Sequence, residues 1–223
     1  MSLPLVFEMR RPSEIDSSRK YPALFVLHGM GSNEKDMLGL VEGLEEHFFI
    51  FSIRGQLEQR PGFAFFTIER FGKPHQDVFG EAREKLQDFI DWATNEYPLD
   101  SSGIYLMGFS QGAILSMSAA LAHSESIKGV VALSGYIPDF VKEDFRGKPM
   151  ANTALFISHG QQDQVLPYSW SKESKYYFES AGADVTFKSY PSPHTVSLEN
   201  YQDFTNWLLA QLHEPNKKTL GGN

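Results

Sequence analysis

The chain has 223 residues, a size that suits one α/β domain with a substantial core, and its formal net charge of −8 argues against a nucleic-acid or polyphosphate partner. Hydrophobic residues make up 41% and charged residues 22%, ordinary for a soluble globular protein, and no apolar stretch approaches the ~20 residues that a membrane span needs. There is no cysteine, which excludes disulfides, thiolate metal sites and a cysteine nucleophile. Near the start, Arg10 and Arg11 follow a short apolar run, the reverse of a signal peptide, so the expected location is cytoplasmic.

Residues 4–10 fit a short edge strand, and 12–20 a polar link. Residues 23–27 (Ala-Leu-Phe-Val-Leu) form a continuous apolar run too short for a helix, as expected of a parallel strand buried on both faces. A glycine loop follows, His28-Gly29-Met30-Gly31, with Ser32 and Asn33 as N-cap candidates for a helix predicted over 34–47. Its apolar face would carry Met37, Leu40, Val41 and Leu44. A second buried strand is predicted at 48–53. Residues 56–73 have no period; together with Phe79 the stretch supplies five phenylalanines, including Phe63, Phe65, Phe66 and Phe71. A loop that long between a strand and a helix is often functional.

Helical spacing resumes over 76–97, through Phe79, Ala82, Leu86, Phe89, Ile90, Ala93 and Tyr97. Residues 99–103 read as a turn into a strand at 104–107, and a small-residue helix is predicted over 113–122. Further strands are predicted at 129–133, 154–157 and 185–190, and helices at 169–181 and 198–212. Residues 136–152 are irregular or partly helical. The polar tail, 214–223, is expected to fray. Strands alternating with helices, without an internal repeat, give a doubly wound, mostly parallel sheet.

Between the strand at 104–107 and the helix after it stands Gly108-Phe109-Ser110-Gln111-Gly112, a match to G-x-S-x-G, the nucleophile elbow. A strand that becomes a helix in so few residues strains the serine and exposes its hydroxyl, and the glycines admit backbone where a Cβ would clash. Alone the pattern is weak, since roughly one chain in ten of this length carries it by chance. Its partners decide its weight.

A serine hydroxyl needs a base, and the base needs an acid, in the chain order Ser, Asp or Glu, His. His194, between Pro193 and Thr195 in a loop after a strand, is the expected base; His213 lies in the last helix or the tail. Asp163 is the favoured acid, with Asp139 and Asp144 as rivals after the preceding strand, while Asp184 falls at the wrong end of the sheet. The oxyanion hole would use the N–H of Gln111 and one from the loop after the first buried strand, Met30 first and Gly29 next. His28 reads as a brace for that loop. His47, His75, His123 and His159 read as surface or loop-bracing residues. No histidine spacing fits a metal. Phe65, Phe66, Val165 and Leu166 are the expected apolar walls for substrate.

Taken in order, Leu27-His-Gly-Met-Gly-Ser-Asn-Glu-Lys-Asp36, Gly108-Phe-Ser-Gln-Gly112, Ser134-Gly135, His159-Gly-Gln-Gln-Asp163 and Pro193-His194 resemble the phospholipase/carboxylesterase family of small α/β-hydrolases, over about residues 21–212. This group also contains the acyl-protein thioesterases, and the H-G-x-G-x-N-E pattern looks closer to its compact bacterial esterases. The resemblance implies an α/β-hydrolase fold without a large lid, nucleophile Ser110, acid Asp163, base His194, and oxyanion donors at Met30 and Gln111. It implies a cofactor-free carboxylesterase acting on short- to medium-chain esters through an acyl-enzyme, with no metal. A small-molecule ester is the expected partner, and the protein would be a monomer or homodimer. An acyl thioesterase, a lysophospholipase or a small-peptide hydrolase would use the same groups, and a non-catalytic hydrolase-fold binding protein is the rival from another class.

Overall fold

The computed structural model describes residues 5–213; Pro4 and the tail expected to fray, 214–223, lie outside the described residues. The frame is a seven-stranded sheet. Its strands are β1 (Phe7–Arg10), β2 (Tyr21–Leu27), β3 (Phe49–Ile53), β8 (Leu99–Phe109), β9 (Ile127–Leu133), β10 (Ala154–Gly160) and β11 (Asp184–Tyr190), in the order β1-β3-β2-β8-β9-β10-β11. Only β1 pairs antiparallel, against β3; every other pair is parallel.

The continuous apolar runs become central strands because each face of the sheet is covered. Period-2 alternation divides their side chains. Phe25, Leu27, Phe51, Ile53, Leu106 and Ile157 join one core cluster, while Leu24, Val26, Ile50, Tyr105, Met107 and Phe156 join the other. The first face is covered by helices α1 (Gln76–Glu96), α2 (Gln111–Ala122), α3 (Asp139–Asp144) and α4 (Tyr168–Ser180). The second is covered by α5 (Leu198–Gln211), through Phe204 and Leu208, and by the segment after β2. Helix α2 is buried from Gln111 to Leu121, which accounts for its run of small and apolar residues.

Three predicted elements fold differently. Residues 99–103, expected as a turn, are the first part of β8, where Leu99 pairs with Tyr21 of β2, so the polar Asp100-Ser101-Ser102 run is strand rather than loop. The helix expected over 34–47 is a pair of short 3-10 turns, Asp36–Val41 and Leu44–Glu46, separated by Gly43 at φ 84°. The expected apolar residues still face inward, since Met37, Val41 and Leu44 are buried. Asn33 makes a local turn, its Oδ1 accepting the Lys35 N–H at 2.8 Å, and caps no helix. The aperiodic stretch 56–73 is two small antiparallel hairpins, β4 (Leu57–Gln59) with β5 (Gly62–Ala64) and β6 (Ile68–Arg70) with β7 (Lys73–Pro74). Strands this short show little alternation, so their sequence carries no periodic signal.

Candidate active site

The loops after β2, β8, β10 and β11 meet at the carboxyl ends of the parallel strands, where open α/β sheets hold their ligands. Ser110 sits in the turn from β8 to α2 with φ 53° and ψ −115°. The tightness of that turn comes from two glycines. A Cβ on Gly112 would stand 2.1 Å from the Leu27 carbonyl oxygen, and one on Gly108 would stand 2.2 Å from the Gly112 carbonyl carbon. With both side chains absent, α2 starts directly against β2 and β8, with Ser110 as its N-cap residue. The Ser110 N–H donates to the Leu133 carbonyl of β9 at 2.8 Å, which fixes the turn from the other side.

His194 Nε2 lies 2.9 Å from Ser110 Oγ, and His194 Nδ1 lies 2.6 Å from Asp163 Oδ2. An ionised carboxylate only accepts hydrogen bonds, so Nδ1 carries the proton and Nε2 accepts from the serine hydroxyl. The other Asp163 oxygen accepts the N–H groups of Val165 at 2.8 Å and Leu166 at 2.9 Å. Burial works to raise the Asp163 carboxyl, but the Leu166 N–H, His194 and the Val165 N–H outweigh it and hold the group below its ordinary value. The acid and base loops are stitched together: the N–H of Gln161 donates to the Tyr190 carbonyl and that of Gln162 to the Ser192 carbonyl. The Phe109 ring packs on His194 with centroids 4.9 Å apart.

The structure therefore brings Ser110, His194 and Asp163 into one chain of hydrogen bonds. The rival acids stand elsewhere. Asp139 and Asp144 bound α3, where the Asp139 side chain is exposed and pairs with Lys142. Asp184 opens β11 at the amino end. His213 follows α5.

The loop from Gly29 to Glu34 runs beside Ser110; a Cβ on Gly29 would lie 3.5 Å from that of Ser110. The Gly31 N–H is taken by the Phe63 carbonyl and the Ser32 N–H by the Gly29 carbonyl, which leaves Met30 and Gly29 as that loop's candidates for an outward-facing donor. The Met30 side chain is 40% exposed. His28 is the brace expected of it. It is fully buried, its Nδ1 donates to the Gly29 carbonyl at 2.7 Å, and its Nε2 accepts the Gly55 N–H at 2.9 Å. Burial holds its pKa below the ordinary value, consistent with a neutral ring.

Three ties around this loop were not read from the sequence. Arg54 meets Glu34 through two hydrogen bonds of 2.6 Å, with the guanidinium 4.5 Å from the Phe63 ring. Phe63 also donates its N–H to the Ser32 carbonyl, so the β4–β5 hairpin extends the loop by a strand-like bridge. The Gln111 side chain reaches across the elbow, accepting the Phe65 N–H at 2.7 Å and donating to the Phe66 carbonyl at 2.8 Å. The acidic Glu34 and basic Arg54 follow consecutive strands, a signal that could have suggested the pair.

Phe65 and Phe66, expected as substrate walls, point into the core. Phe65 is 8% exposed and tilts over the His28 ring; Phe66 is 1% exposed and packs edge-on to Phe79, so it offers no surface to a ligand. Two consecutive aromatic residues tied through their backbone by Gln111 have little freedom to turn outward. Val165 is 54% exposed beside the acid, and Leu166 is half-buried against the core. The aromatic residue that does stay outside is Phe71, at the β6–β7 turn, whose ring lies 4.9 Å from Trp170. A cavity of about 520 Å3 opens there, with Phe71, Tyr136, Ile137, Phe140 and Trp170 on one part of its wall and the charged Arg70, Lys73, Asp139, Lys142, Glu143 and Glu173 on the rest. Of the surface and loop-bracing readings of His159, the second holds: it is fully buried, its Nε2 bonds the Leu166 carbonyl at 3.0 Å and lies 3.1 Å from Asp163 Oδ2.

This geometry has parallels. A profile of the phospholipase/carboxylesterase family matches residues 14–211. The acyl-protein thioesterase 1 of Candida albicans is 31% identical over 155 residues, covering 65% of this chain and 67% of the relative. That of Kluyveromyces lactis is 28% identical over 220 residues, covering 88% and 96%. The solved carboxylesterase of Bacillus cereus superposes with a TM-score of 0.81 at 26% identity, covering 93% of this chain and 94% of its own. No helix among the described residues is long and apolar enough to cross a membrane. The hydrolase-like sheet, the family match across most of its length and these relatives agree: the chain belongs to the phospholipase/carboxylesterase family of ester-bond hydrolases.

Proposed function

We propose that the protein is a serine carboxylesterase that cleaves short- to medium-chain carboxylic esters in two acyl-transfer steps, acting as one hydrolase domain. The observation that carries this reading is the hydrogen-bonded series from Ser110 Oγ through His194 to Asp163, at 2.9 and 2.6 Å, on a strained elbow. His194 Nε2 takes the hydroxyl proton as Ser110 Oγ attacks the ester carbonyl carbon. Asp163 stabilises the imidazolium without being protonated. The tetrahedral oxyanion rests on the N–H groups of Met30 and Gln111. Collapse expels the alcohol, which takes the proton from His194. Water, activated by the same base, then attacks the acyl-enzyme and releases the acid.

Val165 and Leu166 form the apolar wall beside the acid, and Phe65 backs the oxyanion loop through its contact with the His28 ring. The acyl chain is placed along the aromatic part of the 520 Å3 cavity, Phe71, Tyr136 and Trp170, which the segments following β3, β9 and β10 contribute; its charged part would limit chain length. The substrate is a soluble small molecule, and the expected site of action is the cytoplasm.

Thioester cleavage is the second reading, favoured by the names of the fungal relatives. The same nucleophile, base and oxyanion donors serve both, so kinetics must separate them. Matched oxyester, thioester and amide substrates with one acyl group should give the highest kcat/KM on the oxyester. A preference for the thioester by tenfold or more would replace the first reading by the second. A tight ligand with no turnover on any of the three would return the protein to the class of binding modules.

A further inference from the structure

We propose that His159 is a positioning residue for the acid of the triad: its Nε2–H, which donates to the Leu166 carbonyl, also faces at 3.1 Å the Asp163 oxygen that holds His194. The inference rests on the triad assignment above. His159 stands at the end of β10, four residues before Asp163 in His159-Gly-Gln-Gln-Asp163, so the turn that delivers the acid begins at this ring. Its side chain and that of Asp163 are both without exposed surface.

The proton can be placed from the acceptors alone. His159 Nε2 lies 3.0 Å from the Leu166 carbonyl oxygen and 3.1 Å from Asp163 Oδ2. Both oxygens accept only, so Nε2 carries the hydrogen; it is directed to the Leu166 carbonyl, with Asp163 Oδ2 beside it as an electrostatic contact. His159 Nδ1 is buried with no hydrogen-bond partner among the described residues, and a second proton there would be a buried unpaired charge. Burial accordingly holds the ring below its ordinary pKa, against the opposing pull of the Leu166 carbonyl and Asp163. The titratable groups facing the ring are Asp163, His194 and Tyr168 from α4, 6.1 Å away between centroids, with Lys172 over the Tyr168 ring.

A neutral donor suits this place. Asp163 Oδ1 is fixed by two backbone N–H groups, so the carboxylate plane is set by what holds Oδ2. With His194 alone there, the oxygen would be held only by the group that must turn and charge during the reaction. His159 supplies a partner that stays still. Being neutral, it adds no repulsion when His194 becomes an imidazolium, as an arginine or lysine would. With the positive end of its N–H beside Oδ2 it also offsets part of the charge that His194 faces, so its removal should make the base harder to deprotonate. The same Nε2–H grips the Leu166 carbonyl while Asp163 grips the Leu166 N–H, closing the acid turn from both sides.

The test compares His159→Phe, which keeps the ring shape without a donor, with His159→Gln, whose amide can return one. Each is normalised to active sites titrated with a serine-directed fluorophosphonate. The Phe variant should lose roughly tenfold in kcat, and the acidic limb of its pH profile should move up by roughly half a unit, with the Gln variant recovering most of both. A purely structural brace would lower the melting temperature of both variants and leave kcat per titrated site and the pH limb unmoved, which overturns the proposal. If the wild type itself fails to titrate, the triad assignment falls instead. Should the Phe variant not fold, 15N-histidine spectra of the wild type decide. A neutral Nε2–H tautomer for His159 across the range in which His194 charges supports the proposal; an Nδ1–H tautomer, or protonation in step with His194, overturns it.

Discussion

At Ser110 a non-glycine residue is held at φ 53°, a left-handed conformation that costs free energy and survives only where neighbours enforce it. Gly108, Gly112 and the bond to the Leu133 carbonyl are those neighbours, and the result is a hydroxyl presented to His194 at 2.9 Å. The meeting of Ser110, His194 and Asp163 was legible, because each follows a segment that reads as a strand, apolar throughout before Ser110 and Asp163 and mixed before His194. Gln111 was legible only in part. Its backbone N–H follows from its place after the nucleophile, whereas its side-chain clamp on Phe65 and Phe66 joins positions 45 and 46 apart in sequence and leaves no local pattern. Gln111→Ala keeps the oxyanion N–H but orphans the Phe65 N–H and the Phe66 carbonyl. The variant should lose roughly 2 kcal/mol of stability in denaturant unfolding, with kcat falling more than KM rises. Unchanged stability would mean that water replaces the amide and that the clamp is dispensable.

Among the elements, α2 and the β6–β7 hairpin make opposite demands on sequence. Helix α2 tolerates no bulk at its start, since a Cβ on Gly112 would meet the Leu27 carbonyl at 2.1 Å in the sheet itself. Gly112→Ala should push the helix off β2 and abolish turnover, and its melting temperature should fall well below that of the wild type. A variant with wild-type kcat would show that the elbow can relax. The hairpin is only lightly held. Phe71 is 66% exposed and touches Trp170, so Phe71→Ala should fold normally. Across p-nitrophenyl esters of increasing acyl length it should leave the acetate rate unchanged and shift KM for longer chains several-fold. A profile that does not move would take the acyl chain out of this cavity. The aromatic load of 56–73 flagged the region without revealing its form, because hairpins of two- and three-residue strands are specified by long-range contacts. The missing helix after β2 has a similar cause. Its apolar spacing was real and its residues are buried, but Gly39 and Gly43 favour tight turns over a regular helix.

For the molecule as a whole, one sheet buried on both faces sets four loops side by side, and the fold class, a doubly wound and mostly parallel sheet, was therefore the most legible level of all. Less legible was what pins the oxyanion loop to the rest. The Arg54–Glu34 pair, with Glu34 nearly buried, ties β3 to that loop, and the Arg54 hydrogen bonds hold Glu34 below its ordinary value of 4.5. A carboxyl depressed in the folded state stabilises above its unfolded pKa and loses that contribution as pH falls through the folded one; Asp163 has the same sign. Wild type and Glu34→Gln should thus differ in melting temperature at neutral pH, with the gap closing below about pH 4.5. A gap that stays constant down to pH 3 would mean that the ion pair contributes nothing to folding. The central claim is that Ser110, driven by His194 and Asp163, is the nucleophile, and intact-protein mass spectrometry after reaction with a fluorophosphonate tests it most directly. One adduct per chain, mapped to Ser110, is the predicted result. It should be absent in Ser110→Ala, whose turnover should also fall by about 10⁴-fold or more. An adduct that persists in Ser110→Ala, or turnover retained by that variant, would contradict the account.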